Sequence, residues 1–227
     1  MEVLEIRNLT KKFGKKTIID NMSLTVKEGE IYGFLGPNGS GKTTVIKCIM
    51  GLLKMTKGDV FVCGHSVKKD YEKAAELFGG IIENPEMYGA LKGKTNLKVF
   101  STLYPNVTRE RIEEIGKIVG LDGRLNEPIK KYSLGMRQRL GLALSLVHNP
   151  KLLILDEPTN GLDPKGVKEL RDILKDLAKH GTAVFISSHL LSEMELMCDK
   201  VCIIDKGKII DIKPSDTAFY LTVEFDE

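Results

Sequence analysis

The stretch GPNGSGKTT, residues 36–44, brings together the residue types that can hold phosphate. It fits the spacing Gly-x-x-x-x-Gly-Lys-Thr, follows the strand-like run IYGFL and opens the helical pattern TTVIKCIMGLL. Glycines let backbone N–H groups approach and wrap phosphate oxygens, and a helix N-terminus adds partial positive charge. Gly36, Pro37, Asn38, Gly39, Ser40, Gly41, Lys42, Thr43 and Thr44 are therefore candidate contacts to a nucleotide. Lys42 would reach its β and γ phosphates, and the Thr43 hydroxyl would bind Mg²⁺.

A second block, LLILDEP at 152–158, sets Asp156 and Glu157 directly after four apolar residues. Carboxylates at the C-terminal end of a parallel strand lie where such sheets bind ligands. Asp156 is placed to share the Mg²⁺ of Thr43, and Glu157 to act as general base on a water attacking the γ-phosphate. The plainer alternative is a charged cap after a buried strand. Glu83, in IIENPEMYG at 81–89, is harder to place. Phosphates repel carboxylates, so it is either a solvated loop residue or separated from them by a cation.

These residues need elements to position them. VLEIRNL, IIDNMSLTV, IYGFLG and DVFVCG read as strands, and the alternation in the second marks a half-exposed antiparallel strand. From about residue 70 to 148 the pattern turns helical: LKGKTNLKVFSTLY, TRERIEEIGKIVGL (with Thr108 as its cap) and SLGMRQRLGLALSLV. From 151 strands and helices alternate: KLLILDE, PKGVKELRDILKDLAKHG, TAVFISS, a short helix, then KVCIIDKG and KIIDI. Short apolar runs between amphipathic helices imply a parallel sheet covered on both faces. The expected fold is an α/β core of phosphate-loop NTPase type with a mainly parallel sheet, an N-terminal antiparallel β part and an inserted helical subdomain. A single domain of 227 residues is expected, with 1–80 and 151–227 as core and about 84–150 as the helical part. The final stretch, SDTAFYLTVEFDE, alternates like a strand and suggests a missing C-terminal extension.

Bulk properties exclude some classes. Net charge is +3 and the basic residues are scattered, which gives no footprint for nucleic acid. Cys48, Cys63, Cys198 and Cys202 lack paired spacing and sit among apolar residues, so they read as buried reduced thiols suited to the cytosol. The N-terminus carries charges within its apolar stretch and does not read as a signal peptide. No window approaches the roughly 18 apolar residues of a membrane helix.

Taken in order, GPNGSGKTT, YSLGMRQRL, LLILDEPTNGLDP and ISSH resemble the nucleotide-binding domain of ATP-binding-cassette transporters over nearly the whole chain. The resemblance implies ATP and Mg²⁺ as ligands and an ATPase that energises a separate membrane permease from the cytoplasmic face. It also implies a head-to-tail homodimer in the ATP-bound state. YSLGM resembles the signature LSGGQ: Ser133 and Gly135 match, Leu134 replaces a glycine and Met136 the glutamine. Through the resemblance these four residues face the γ-phosphate held by the opposite subunit, although a bare serine cap would also account for Ser133. Asp163, in GLDP, matches the loop touching that subunit. His189 matches the switch histidine that contacts the γ-phosphate and orients Glu157 and water, and Phe13 the aromatic that stacks on adenine; a core aromatic is the alternative. Glu83 stands where the family carries a glutamine that contacts Mg²⁺ and the attacking water and senses the permease.

A glutamate in that loop resembles the branch exporting bacitracin and lantibiotics, which implies a peptide-antibiotic cargo. Two other readings compete: a cassette ATPase acting on nucleic acid or ribosomes, and a nucleotide-binding regulator without turnover.

Overall fold

A computed structural model describes residues 1–214 of the chain; the SDTAFYLTVEFDE stretch lies outside them. The strands are β1 Glu2–Phe13, β2 Lys16–Lys27, β3 Ile31–Leu35, β4 Lys57–Val62, β5 His65–Ser66, β6 Phe78–Ile81, β7 Leu152–Asp156, β8 Ala183–Ser188, β9 Lys200–Asp205 and β10 Lys208–Pro214. The helices are α1 Lys42–Ile49, α2 Tyr71–Ala75, α3 Gly93–Ser101, α4 Arg109–Ile118, α5 Leu134–Leu146, α6 Pro164–Lys179 and α7 Leu191–Met197. An antiparallel sheet runs β2-β1-β4-β5, and a larger sheet runs β10-β9-β3-β8-β7-β6. In the larger sheet β9, β3, β8, β7 and β6 are parallel, and only β10 runs antiparallel, on β9. The α/β architecture with an antiparallel β part matches the expectation from sequence.

Every residue of β3, β7 and β8 is buried, because both faces of the sheet are covered. Alternation sorts their side chains in two directions. Ile31, Leu35, Leu153, Leu155, Val184 and Ile186 join one core with residues of α4, α5, α6 and α7. Tyr32, Phe34, Leu152, Ile154 and Phe185 join a second core with α1 and the antiparallel sheet. A buried strand sandwiched in this way leaves only its two ends open, and the C-terminal ends are where the chemistry-bearing residues emerge.

Strand β6, like the short β5 and α2, is not anticipated from the sequence. Its FGGI carries two glycines, which lower strand propensity and hide the pattern. The glycines are there for approach: a Cβ on Gly79 would strike the Ser145 carbonyl of α5. Helix α5 thus packs directly on the sheet edge, with Ser145 Oγ donating to Gly80 O at 3.1 Å. Helices α3, α4 and α5 pack on one another, and α4 begins as expected, Thr108 Oγ1 accepting the Arg111 N–H at 3.2 Å. Cys48, Cys198 and Cys202 are buried and free, and Cys63 is half-buried. Burial pushes the Cys48 thiol up to about 11, far from the thiolate form.

One half-buried histidine ties the helical part to the sheet. His148 follows α5, and its ring stacks on Tyr104 with centroids 4.1 Å apart. Its Nε2 lies 3.1 Å from the carbonyl of Phe78 in β6, so Nε2 carries the proton and Nδ1 is left without a partner. Burial lowers its pKa from the usual 6.5, and the nearby Arg111 acts in the same direction. Above that value both folded and unfolded states hold neutral imidazole. As pH falls through it, the unfolded chain takes the proton first, and stability is lost down to the folded pKa. Thermal unfolding followed from pH 8 to pH 5 is therefore expected to show a loss of stability on the acid side that His148→Gln flattens. A wild-type acid limb as steep as the variant's would exclude His148 as its source.

Candidate active site

The loop between β3 and α1 forms the first half of the site. Gly41 takes φ +110°, a conformation that L side chains rarely adopt, and a Cβ there would come 2.5 Å from Ile19 Cδ1. Glycine is required for the turn that leads into α1. Lys42 is buried within the loop, its Nζ donating to Gly36 O at 2.7 Å and Pro37 O at 3.3 Å. Ser40 Oγ is buried with no hydrogen-bond partner among the described residues. A buried ammonium and an unused hydroxyl at the N-terminus of α1 suit an anion site.

The end of β7 supplies the second half. Asp156 is 2 % exposed, and the Thr43 hydroxyl donates to its Oδ2 at 2.7 Å. The strand then breaks at Glu157, whose φ of +49° is left-handed. That conformation costs a non-glycine residue on the order of 1 kcal/mol and persists only where surroundings impose it. Here it swings the carboxylate between two basic side chains: Oε1 lies 3.1 Å from Lys42 Nζ, and Oε2 lies 2.8 Å from His189 Nδ1. A carboxylate bonded to Nδ1 leaves Nε2 of His189 pointing onward. The structure thus gathers Lys42, Thr43, Asp156, Glu157 and His189 into one site, with hard oxygen donors on Thr43 and Asp156 of the kind a divalent cation takes.

The other sequence candidates make contacts of their own. Phe13 ends β1 with its side chain half-exposed, so it is not a core aromatic; the Lys11 ammonium lies 4.6 Å from its ring centroid. Ser133 caps α5, its Oγ accepting the Met136 N–H at 3.2 Å, and Asp163 caps α6, its Oδ1 accepting the Gly166 N–H at 2.8 Å. Ser133, Leu134, Gly135 and Asp163 line one cavity of about 370 Å³. Leu134 is exposed, whereas Met136 is buried in the helical core and presents only its backbone. Glu83 stands apart. Its side chain is 70 % exposed, and its Oε1 pairs with Lys47 Nζ at 3.5 Å, not with Thr43 or Asp156. A pair this exposed is worth well under about 1 kcal/mol.

The ABC transporter family model matches residues 19–160. An uncharacterized ABC transporter ATP-binding protein of Bacillus subtilis (strain 168), YhcH, is 57 % identical over 93 % of this chain and 70 % of its own length. The bacitracin transport ATP-binding protein BcrA of Bacillus licheniformis is 43 % identical over 94 % of this chain and 70 % of its own. The lantibiotic transport ATP-binding protein SrtF of Streptococcus pyogenes is 43 % identical over 94 % and 92 %. Among solved structures, cbiO1 of Clostridium perfringens, part of the ABC transporter complex cbiONQ, is similar with a TM-score of 0.86 at 27 % identity, over 94 % of this chain and 89 % of that one. Among the described residues no helix is long and apolar enough to cross a membrane.

Four polar residues around the site, Ser187, Thr159, Ser188 and Glu193, escape sequence reading. Ser187, on β8, contacts both Asp156 and Glu157. Thr159 and Ser188 both donate to Glu193 Oε2, at 2.6 and 3.3 Å. Glu193 therefore ties the loop after Glu157 to the residue preceding His189. The only sequence signal was the pair of hydroxyls before the histidine in ISSH. Thr159→Val and Glu193→Gln are each expected to cost about 1.5–3 kcal/mol in urea unfolding, since hydrogen bonds to a charged acceptor are of that size. The double variant is expected to fall short of the sum by about 0.5 kcal/mol or more, as shared partners do. Additive losses would show that the two side chains act separately.

Proposed function

The chain belongs to the ABC transporter family as an ATP-binding subunit that hydrolyses ATP, and from that premise we propose how its residues divide the work. The observation that carries the reading is the Glu157 carboxylate held 3.1 Å from Lys42 and 2.8 Å from His189, one residue beyond the Thr43–Asp156 pair. The residues from Gly36 to Thr44 cradle the phosphates of ATP, with the Lys42 ammonium on the β and γ groups. Phe13 stacks on the adenine; its exposed ring supports this. Glu157 polarises the attacking water, and His189 holds that carboxylate by Nδ1 and meets the γ-phosphate by Nε2.

Thr43 and Asp156 would hold Mg²⁺. Among the described residues no three His, Cys, Asp or Glu side chains gather into a metal cage. Two hard protein oxygens fit an ion that takes its remaining ligands from phosphate and water. When bound, it would neutralise charge on the phosphate oxygens. Glu83 would act on this ion or its water from the loop after β6; its carboxylate pairs with Lys47 of α1, the helix that also carries Thr43.

Ser133 and the amides of Leu134 and Gly135 at the start of α5 would present a second anion site, at a cavity shared with Asp163. We assign it to the γ-phosphate of a second copy packed head to tail, with Asp163 at the contact. ATP binding closes this dimer, and hydrolysis opens it. Residues from about 84 to 150 act as a helical subdomain that passes the motion to a separate permease, which holds the protein at the cytoplasmic face of the membrane. The relatives named for bacitracin and lantibiotic transport support a peptide-antibiotic cargo and a role in export or resistance.

Glu157→Gln is expected to bind ATP but to lose turnover by on the order of a hundredfold or more, the scale of a positioned general base. In cells made bacitracin-sensitive by loss of the wild-type protein, the same variant is expected not to restore resistance. Wild-type turnover by Glu157→Gln would sink the assignment. For Glu83, Mg²⁺ titrations of ATPase rate separate the roles: Glu83→Ala is expected to need more Mg²⁺ for half-maximal rate, with Glu83→Gln between it and wild type. Three coincident curves would leave Glu83 a part only in coupling to the permease.

A further inference from the structure

We propose that Ser187 is a positioning residue for hydrolysis, one hydroxyl that sets both the Asp156 carboxylate and the backbone from which Glu157 acts. The inference rests on the roles given above to Asp156 and Glu157. Ser187 is the penultimate residue of β8, fully buried, and its Cα is in register with Asp156 across the parallel β7–β8 pair. Its Oγ lies 2.6 Å from Asp156 Oδ1 and 3.0 Å from the backbone nitrogen of Glu157. A hydroxyl has one proton to give. The Glu157 N–H can only donate, so the Ser187 proton must go to Asp156, and the direction of both bonds is fixed.

Two consequences follow from that geometry. First, Asp156 is clamped: Ser187 donates to Oδ1 and Thr43 donates to Oδ2 at 2.7 Å, so the plane of the carboxylate is set by two hydroxyls. Second, the left-handed turn at Glu157 is held by its own N–H. That N–H has one other acceptor, the Ser187 carbonyl at 3.2 Å, so the residue supplies both of its contacts. Without the hydroxyl, Asp156 Oδ1 is left buried with one donor fewer, and Glu157 keeps only the longer bond while its φ of +49° remains strained. The carboxylate that must lie between Lys42 and His189 then loses its fixed origin. Ser187 touches neither phosphate nor water in this scheme and acts only through its neighbours.

Ser187→Ala and Ser187→Thr test the idea, the second keeping the hydroxyl. Nucleotide affinity is measured with a fluorescent ATP analogue in EDTA and in Mg²⁺, beside kcat, KM and thermal unfolding. Ser187→Ala is expected to bind nucleotide in EDTA as wild type does, to raise the Mg²⁺ needed for half-maximal rate, and to lower kcat by on the order of tenfold, the usual effect of removing an outer hydrogen-bond partner of a ligand. Recovery of kcat by Ser187→Thr supports the hydroxyl as the cause. The proposal is overturned if Ser187→Ala keeps the wild-type kcat and Mg²⁺ requirement. It is equally overturned if that variant loses nucleotide affinity to the same extent with and without Mg²⁺, which a general packing defect would produce. Glu157→Gln measured alongside separates the failures. If it alone stops turnover, only the role of Ser187 falls; if it turns over normally, the general-base reading falls first.

Discussion

Two adjacent carboxylates at the end of a buried strand are the constraint on which this site depends. Asp156 and Glu157 follow four residues of zero solvent exposure, and the phosphates expected beside them are anionic too. Such charges persist in a poorly solvated place only when each is matched by donors or cations. Asp156 is matched by two hydroxyls, and Glu157 by an ammonium and an imidazole. The strained backbone at Glu157 follows from the same need. In a continuing strand, successive side chains point to opposite faces, and one of the two carboxylates would enter an apolar core. The left-handed turn ends the strand and keeps both acids at its rim.

The scaffold explains why the partners arrive from distant parts of the chain. In a parallel sheet neighbouring strands end together, so the loops after β3, β7 and β8 share one edge. The phosphate loop follows β3, the acidic pair closes β7, and His189 follows β8. The register Asp156↔Ser187 between β7 and β8 then fixes the hydroxyl against the acids with no further device. The two cores on either face of the sheet have no direct part in the chemistry. They hold three fully buried strands in mutual register, and that register is what the site requires.

What the sequence disclosed and what it withheld divide along the same line. Lys42, Thr43, Asp156 and Glu157 were legible because each lies in a short block whose spacing states its chemistry. The α/β alternation was legible because strands buried on both faces read as unbroken apolar runs. Strand β6 was hidden by Gly79 and Gly80, whose small size serves the close approach of α5. Ser187 and Glu193 were not legible for a different reason. Their partners lie 31 and 34 residues away, and nothing local distinguishes a serine in a strand from one that clamps an aspartate. Asp163 could have been read more fully, since an aspartate directly before a proline is a helix-start signal, and the structure spends its carboxylate on that cap.

The signature segment and the Glu83 loop show how the substitutions can be reconciled with the chemistry. At a helix N-terminus the anion-binding groups are backbone amides, which any non-proline side chain leaves in place. Met136 can therefore replace glutamine and turn its side chain into the helical core without removing an amide from the start of α5. Leu134 is a different matter, because it adds an exposed apolar side chain beside Ser133, at the face assigned here to a second copy. Glu83 replaces a neutral amide with a charge, and the chain answers with Lys47, one helical turn beyond Thr43 on α1. That arrangement keeps an added negative charge near the phosphate loop without an unmatched repulsion. Because the pair is exposed and weak, the Glu83 carboxylate loses little by giving up Lys47.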